Sequence, residues 1–142
     1  MRPIAIVLVL ALSSIGIVQG VALDENGAKP NGDTAAALYQ VQEGNKVDAK
    51  TLQGWKTWRA LACERCHGAE QEGLVGPPLV QSMKVLSKED FHTVIMNGRP
   101  EKGMPPFNTS PMVMQNWEGL YAYLKGRSDG KIQPGRLSAM GQ

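Results

Sequence analysis

The sequence predicts a small all-α domain, and three observations carry that prediction. Apolar residues recur at helical spacing in three stretches, the stretches between them are dense in glycine and proline, and no segment alternates convincingly with period two. At 142 residues the chain suits one domain, and both of its ends read as segments outside the core-forming part. A domain that small buries little surface and ordinarily needs a staple.

The elements follow in order. Residues 1–22, MRPIAIVLVLALSSIGIVQGVA, combine a basic start at Arg2, an apolar run and small residues around Gly20 and Ala22, the pattern of a cleavable secretory signal. The run over residues 4–18 is broken by Ser13, Ser14 and Gly16 and falls short of the roughly 20 residues that cross a bilayer. Cleavage after Gly20 or Ala22 and export to the periplasm are expected; an uncleaved anchor is the competing expectation. Residues 23–47 form a polar extension, with an apolar patch that points to partial order at Leu38 and Tyr39.

The domain proper is expected over residues 48–126. Asp48 offers an N-cap to a helix that runs into CERCH, with Leu52, Trp55, Trp58 and Leu61 at spacings of three. Gly54 costs that helix about 1 kcal/mol relative to alanine, which makes sense where another backbone approaches. GAEQEGLVGPPL is loop. Residues 87–96 read as a second helix, with Ser87 and Asp90 close to a capping box and Phe91, Val94 and Ile95 on its apolar face. Pro100, Pro105, Pro106 and Pro111 forbid continuous helix through NGRPEKGMPPFNTSP. A last helix spans 112–125 with Trp117, Leu120, Tyr121 and Leu124 on one side and Gly126 ending it; residues 127–142 are an aperiodic tail.

With the signal removed Arg2 goes too, which leaves 14 of the 15 basic residues against 13 acidic ones. That near-balance, with no basic stretch interleaved with aromatics, excludes a nucleic-acid partner. The two cysteines, Cys63 and Cys66, are followed directly by His67, and C-x-x-C-H is the attachment signature of a c-type haem. Two thiols so spaced can each add to a vinyl group on one porphyrin edge while the next residue meets the iron. A redox dithiol would sit in a βαβ setting that this helical chain lacks. Zinc needs four ligands, and after these three only His92 remains. A disulfide across two residues would constrain almost nothing.

Methionine is the usual sixth ligand opposite such a histidine. Of seven methionines only Met104 stands in a glycine- and proline-rich loop, GMPPF, where Gly103 permits close approach and two prolines stiffen the far side. Met1 lies in the signal, Met83 and Met96 in or beside helices, Met112 and Met114 at the start of the last helix, and Met140 near the end. His92, the competing ligand, falls inside a helix beside Phe91. The candidate acceptor for the other ring nitrogen of His67 is the carbonyl of Pro77, although Pro77 and Pro78 also serve to stiffen a turn. Arg99 is a candidate partner for a haem propionate, or a solvated loop arginine.

CERCH, GPPL and GMPPF, in that order between two helices, resemble class I cytochromes c. The resemblance implies a small cytochrome c fold with crossing N- and C-terminal helices around one covalent haem c, and it places Leu120 and Tyr123 against Gly54 and Trp58. It implies an exposed haem edge and one-electron transfer to and from redox partner proteins, with no enzyme activity and no catalytic residue. Gly54 and Trp58 stand one position farther from Cys63 than is usual, so a bulge or tighter turn is expected before the motif. From GWKTWRALACERCHG through YLKGRSDGKIQPGRL the chain is similar to periplasmic cytochromes that accept electrons from PQQ-dependent (quinoprotein) alcohol or methanol dehydrogenases. That implies a monomer without stable membrane insertion that delivers electrons to a terminal oxidase or another cytochrome. Lys84, Lys88, Lys102, Arg65 and Arg99 are candidates for steering an acidic partner. A fixed subunit of a larger oxidoreductase, and a haem sensor or weak peroxidase, are the alternatives.

Overall fold

Asp48 nucleates the first helix through both oxygens of its carboxylate. One accepts the Thr51 amide at 2.9 Å, and the other accepts the Thr51 hydroxyl and the Gln40 amide, each at 2.7 Å. In this computed structural model, which describes residues 38–141, helix α1 spans Ala49–Ala60. The expected signal peptide and residues 23–37 of the extension lie outside the described residues.

The helix predicted to run into CERCH is interrupted. After Ala60 the chain turns through Ala62 in the left-handed region, at φ 52°, and the Cys63 amide reaches back to the Trp58 carbonyl at 3.3 Å. Helix α2, Glu64–His67, then carries the motif. The residue by which Gly54 and Trp58 stand off from Cys63 is taken up in this turn.

Helix α3 is the short Leu79–Ser82 and helix α4 is Lys88–Asn97. Ser87 caps α4 reciprocally: its oxygen accepts the Asp90 amide at 3.0 Å while its hydroxyl donates to the Asp90 carboxylate at 2.8 Å. Helix α5, Pro111–Ser128, overruns the predicted 112–125 at both ends. Pro111 suits a first helical position, where its missing N–H has no partner to lose. Gly126 does not stop the helix, because it is needed for packing: a Cβ there would lie 2.5 Å from Ile132 Cδ1.

Helices α1 and α5 cross with their backbones touching. A Cβ on Gly54 would stand 1.9 Å from the Gly119 carbonyl oxygen, and one on Gly119 would stand 2.3 Å from the Lys50 oxygen. The approach predicted at Gly54 is thus made by a glycine pair, and it brings the Trp58 and Tyr123 rings to 6.3 Å. Phe91 on α4 packs on Tyr121 at 5.3 Å.

The absence of strand pattern in the sequence needs one correction. Strands β1 (Val41–Gln42), β2 (Lys46–Val47) and β3 (Ser138–Ala139) form a sheet in that order, β1 antiparallel and β3 parallel to β2. Two-residue strands are too short to show an alternation of period two. Residues read as an aperiodic tail also place Ile132 and Leu137 in the core beside Val47.

Burial alone would raise the Asp48 carboxyl, but its bonds from Gln40 and Thr51 hold it below the ordinary aspartate value. Its stabilising bonds are therefore complete above the unfolded value, about pH 4, and are lost as pH falls through the lower folded value. Asp48→Ala is expected to cost about 1 kcal/mol at pH 7, with the gap from the native protein closing below about pH 4. Urea denaturation across that pH range checks it; a gap that does not narrow would contradict the assignment.

Candidate haem site

The break after α1 points the motif toward the loop that follows it. The His67 amide bonds to the Cys63 carbonyl at 3.0 Å, so both cysteines and the histidine share one helical turn. Both thiols are free, Cys63 half-buried and Cys66 exposed. Burial, with the neighbouring Glu64 carboxylate adding to it, pushes the Cys63 thiol up to about 12. Arg59 pairs with one Glu64 oxygen at 3.2 Å, while the other is buried without a partner. Among the described residues no three His, Cys, Asp or Glu side chains converge on a common point for a metal ion, and the zinc reading has no donor set.

The loop after the motif folds back on it by main-chain bonds. The Gly73 amide meets the His67 carbonyl at 2.7 Å and the Gly76 amide meets the Cys66 carbonyl at 2.8 Å. That return lays Gly76 along the imidazole: a Cβ there would stand 2.8 Å from both His67 Cε1 and Nδ1. It also sets the Pro77 carbonyl 3.0 Å from Nδ1, which donates to it because a carbonyl only accepts. The Nε2 lone pair is thereby left for a metal. Trp58 packs near the ring, with centroids 6.3 Å apart.

Met104 sits at the neck of a tight hairpin. The Arg99 amide bonds to the Met104 carbonyl at 2.8 Å and the Met104 amide to the Arg99 carbonyl at 3.1 Å, across a 3-10 turn over Pro100–Lys102. A close backbone approach is also made at Gly98, where a Cβ would lie 2.5 Å from the Pro105 carbonyl carbon. Gly103 supplies a left-handed turn at φ 81°. Arg99 is exposed, and its main chain is what holds Met104.

The other candidates lie on other elements. His92 stacks on Trp117 with centroids 4.4 Å apart, Met83 is buried in the core, and Met112 and Met114 are exposed. Sequence reasoning missed Gly76, Gly98, Gln71 and Arg127. A glycine directly before Pro77 and one directly after α4 were visible signals for the first two, whereas the others become evident only through contacts distant in sequence. Two free thiols within one turn, an imidazole with one nitrogen in use, and a thioether on a main-chain-fixed neck are a donor set that fits a covalently attached haem.

A helical domain with that donor set is the construction of a c-type cytochrome, and comparison with known proteins agrees. Residues 49–124 match the family model described as cytochrome C oxidase, cbb3-type, subunit III. Over 92 residues the chain is 44% identical to cytochrome c-555 of Methylococcus capsulatus, covering 64% of this chain and 73% of that protein. Over 105 residues it is 31% identical to cytochrome c-553I of Paracoccus denitrificans, covering 69% of this chain and 46% of that one. The crystal structure of the c-type cytochrome XoxG from Methylobacterium extorquens AM1 superposes with a TM-score of 0.64 at 33% identity, over 71% of this chain and 65% of that chain.

The chain belongs to this family, within the class I c-type cytochromes. It is a mono-haem electron carrier with covalently bound haem c. No helix among the described residues is long and apolar enough to cross a membrane.

Gly76→Ala is expected to push the imidazole off the Pro77 carbonyl. Were His67 to ligate the haem iron, losing this bond would make it a poorer donor and favour the reduced state, so the reduction potential should rise. Redox titration checks it, and a potential unchanged or lowered would contradict the role given to Gly76.

Proposed function

We propose that the protein is a soluble periplasmic one-electron carrier that accepts electrons from a PQQ-dependent alcohol or methanol dehydrogenase and passes them to a terminal oxidase or another cytochrome. In this reading residues 1–22 are a cleaved signal, residues 48–126 are the cytochrome domain, and residues 23–47 and 127–142 flank it. Cys63 and Cys66 tether the haem, His67 and Met104 take its two axial positions, Pro77 orients His67, and Arg99 pairs with a propionate. Bound haem supplies a one-electron couple with no bond chemistry required of the protein.

The observation that carries this reading is that main-chain bonds fix both proposed ligands, His67 through Gly73, Gly76 and Pro77, and Met104 through Arg99. Ligands so held rearrange little when charge changes, which suits a carrier. A filled sixth position also opposes peroxidase activity. Support for the donor comes from the resemblance of residues 54–137 to cytochromes of that role and from the likeness to XoxG.

Exposed apolar and basic side chains are the candidates for partner docking. Leu74 and Val75 are 70% and 86% exposed on the loop bonded to Cys66, with Arg65 exposed beside it. Lys84 and Lys102 are exposed as well, whereas Lys88 pairs with Glu118 at 3.0 Å and covers Trp117. A fixed subunit is the second reading, favoured by the oxidase subunit named in the matching family.

Met104→Ala should abolish the weak far-red sulfur-to-iron band of the oxidised protein and lower its potential, while Met114→Ala, at an exposed position, leaves both intact. Persistence of the band in the Met104 variant would remove Met104 from the site. With purified quinoprotein dehydrogenase and its alcohol, the monomeric cytochrome should be reduced in full, more slowly as salt rises. Failure to be reduced would reject the donor, and recovery only within a larger complex would favour the fixed subunit.

A further inference from the structure

We propose that Arg127 and Gln71 are positioning residues for His67: they clamp the loop behind the haem motif to the end of α5, and through that loop they hold the Pro77 carbonyl on the imidazole. The inference rests on His67 being an axial ligand.

Gln71 is the crosspiece of the clamp. Its side chain is 1% exposed, and its backbone is left-handed at φ 63°, a conformation that costs any residue bearing a Cβ. A surface loop would place glycine or asparagine there. What glutamine adds is reach: its Nε2 donates to the Tyr123 hydroxyl at 3.1 Å and to the Ala69 carbonyl at 3.4 Å, and its Oε1 accepts from Arg127 Nε at 2.6 Å.

Arg127 donates its remaining groups to the Ile132 carbonyl at 2.7 Å and the Glu70 carbonyl at 3.1 Å. One planar fork thus joins the loop, the last helix and the chain beyond it, which a lysine ammonium cannot do from a single point. The far side of the loop is pinned by the Val80 amide on the Gln71 carbonyl at 3.3 Å and the Ser128 hydroxyl on the Val80 carbonyl at 2.8 Å. Its near side carries the bonds to Cys66, His67 and the imidazole already described. Tyr123, which accepts from Gln71, packs on Trp58, and Trp58 packs near His67, so the same clamp backs the imidazole from its other flank.

Arg127 also carries charge, and the two roles have opposite signs. Removing a cation from the domain disfavours the reduced, less positive state and lowers the potential. Loosening the bond from His67 to Pro77 weakens the imidazole as a donor and raises it. Arg127→Lys keeps the charge and discards the fork; Gln71→Gly discards the crosspiece, relaxes the backbone and changes no charge.

Both variants are expected to raise the potential and to speed exchange of the His67 Nδ1 proton about tenfold, followed by NMR of the reduced, haem-loaded protein with labelled histidine. Tyr123→Phe should move both readouts the same way by less. Tyr39→Phe, which removes the hydrogen bond to Asp129 at the same end of α5 and changes no charge, should lower Tm and move neither. A lowered Tm with potential and exchange unchanged in both Arg127→Lys and Gln71→Gly would reduce the clamp to a structural role and overturn the proposal. A potential altered only when the charge is removed, as in Arg127→Gln, would overturn it too. The wild-type spectrum separates the underlying reading, because His67 ring signals lacking the ring-current shift of a haem-bound imidazole would reject axial ligation and the proposal with it.

Discussion

Everything in this domain is registered from one contact, the backbone-to-backbone crossing of α1 and α5 at Gly54 and Gly119. Two helices meet this closely only where neither carries a side chain, and the separation left elsewhere would have to be filled by larger residues. With the crossing fixed, Trp58 one turn along α1 is delivered to Tyr123 one turn along α5. Trp58 in turn lies near His67, so the place of the histidine follows from a glycine pair on the far side of the tryptophan.

From that fixed point the two proposed ligands are held in the same manner by different local devices. His67 is gripped by a loop that doubles back and bonds to the motif through the amides of Gly73 and Gly76. Met104 is gripped by a hairpin whose arms bond at Arg99 and whose outgoing arm passes over Gly98. In both cases the holding groups are main-chain amides and carbonyls. Such bonds survive most side-chain changes, so the sequence can vary around them while the ligands stay in place.

The parts of this arrangement legible in the sequence are those written locally. Asp48 and Ser87 as caps, the helical spacing of Trp55 and Trp58, and CERCH itself each lie within a few residues and carry their physics with them. What was hidden involved partners far apart along the chain. Gly126 reads as a stop until Ile132 is seen against it, and the aperiodic stretch after it reads as a tail until Leu137 is found in the core. The strands were hidden for a related reason, since each is only two residues long and owes its conformation to its neighbours. The contact made at Gly98 was hidden for the same reason, because the atoms that crowd it belong to Met104, Pro105 and Pro106 across the hairpin.

Those long-range contacts answer the problem of size. A helical domain built around a cofactor has few side chains of its own at its centre, so the outer layer must do more of the closing. Here the segment before α1 and the segment after α5 are zipped to each other, through Gln133 to Gly44, Ser138 to Asn45 and Met140 to Val47. Tyr39 donates to Asp129 at 2.8 Å and covers the same end of α5. The helices that cross at the glycine pair are therefore also tied by the chain that enters one and leaves the other. Separation of α1 from α5 would have to break the strand pairing and expose Val47 and Ile132 together. These losses are simultaneous, and this makes the crossing resist opening as a unit. A histidine registered from that crossing inherits the same resistance.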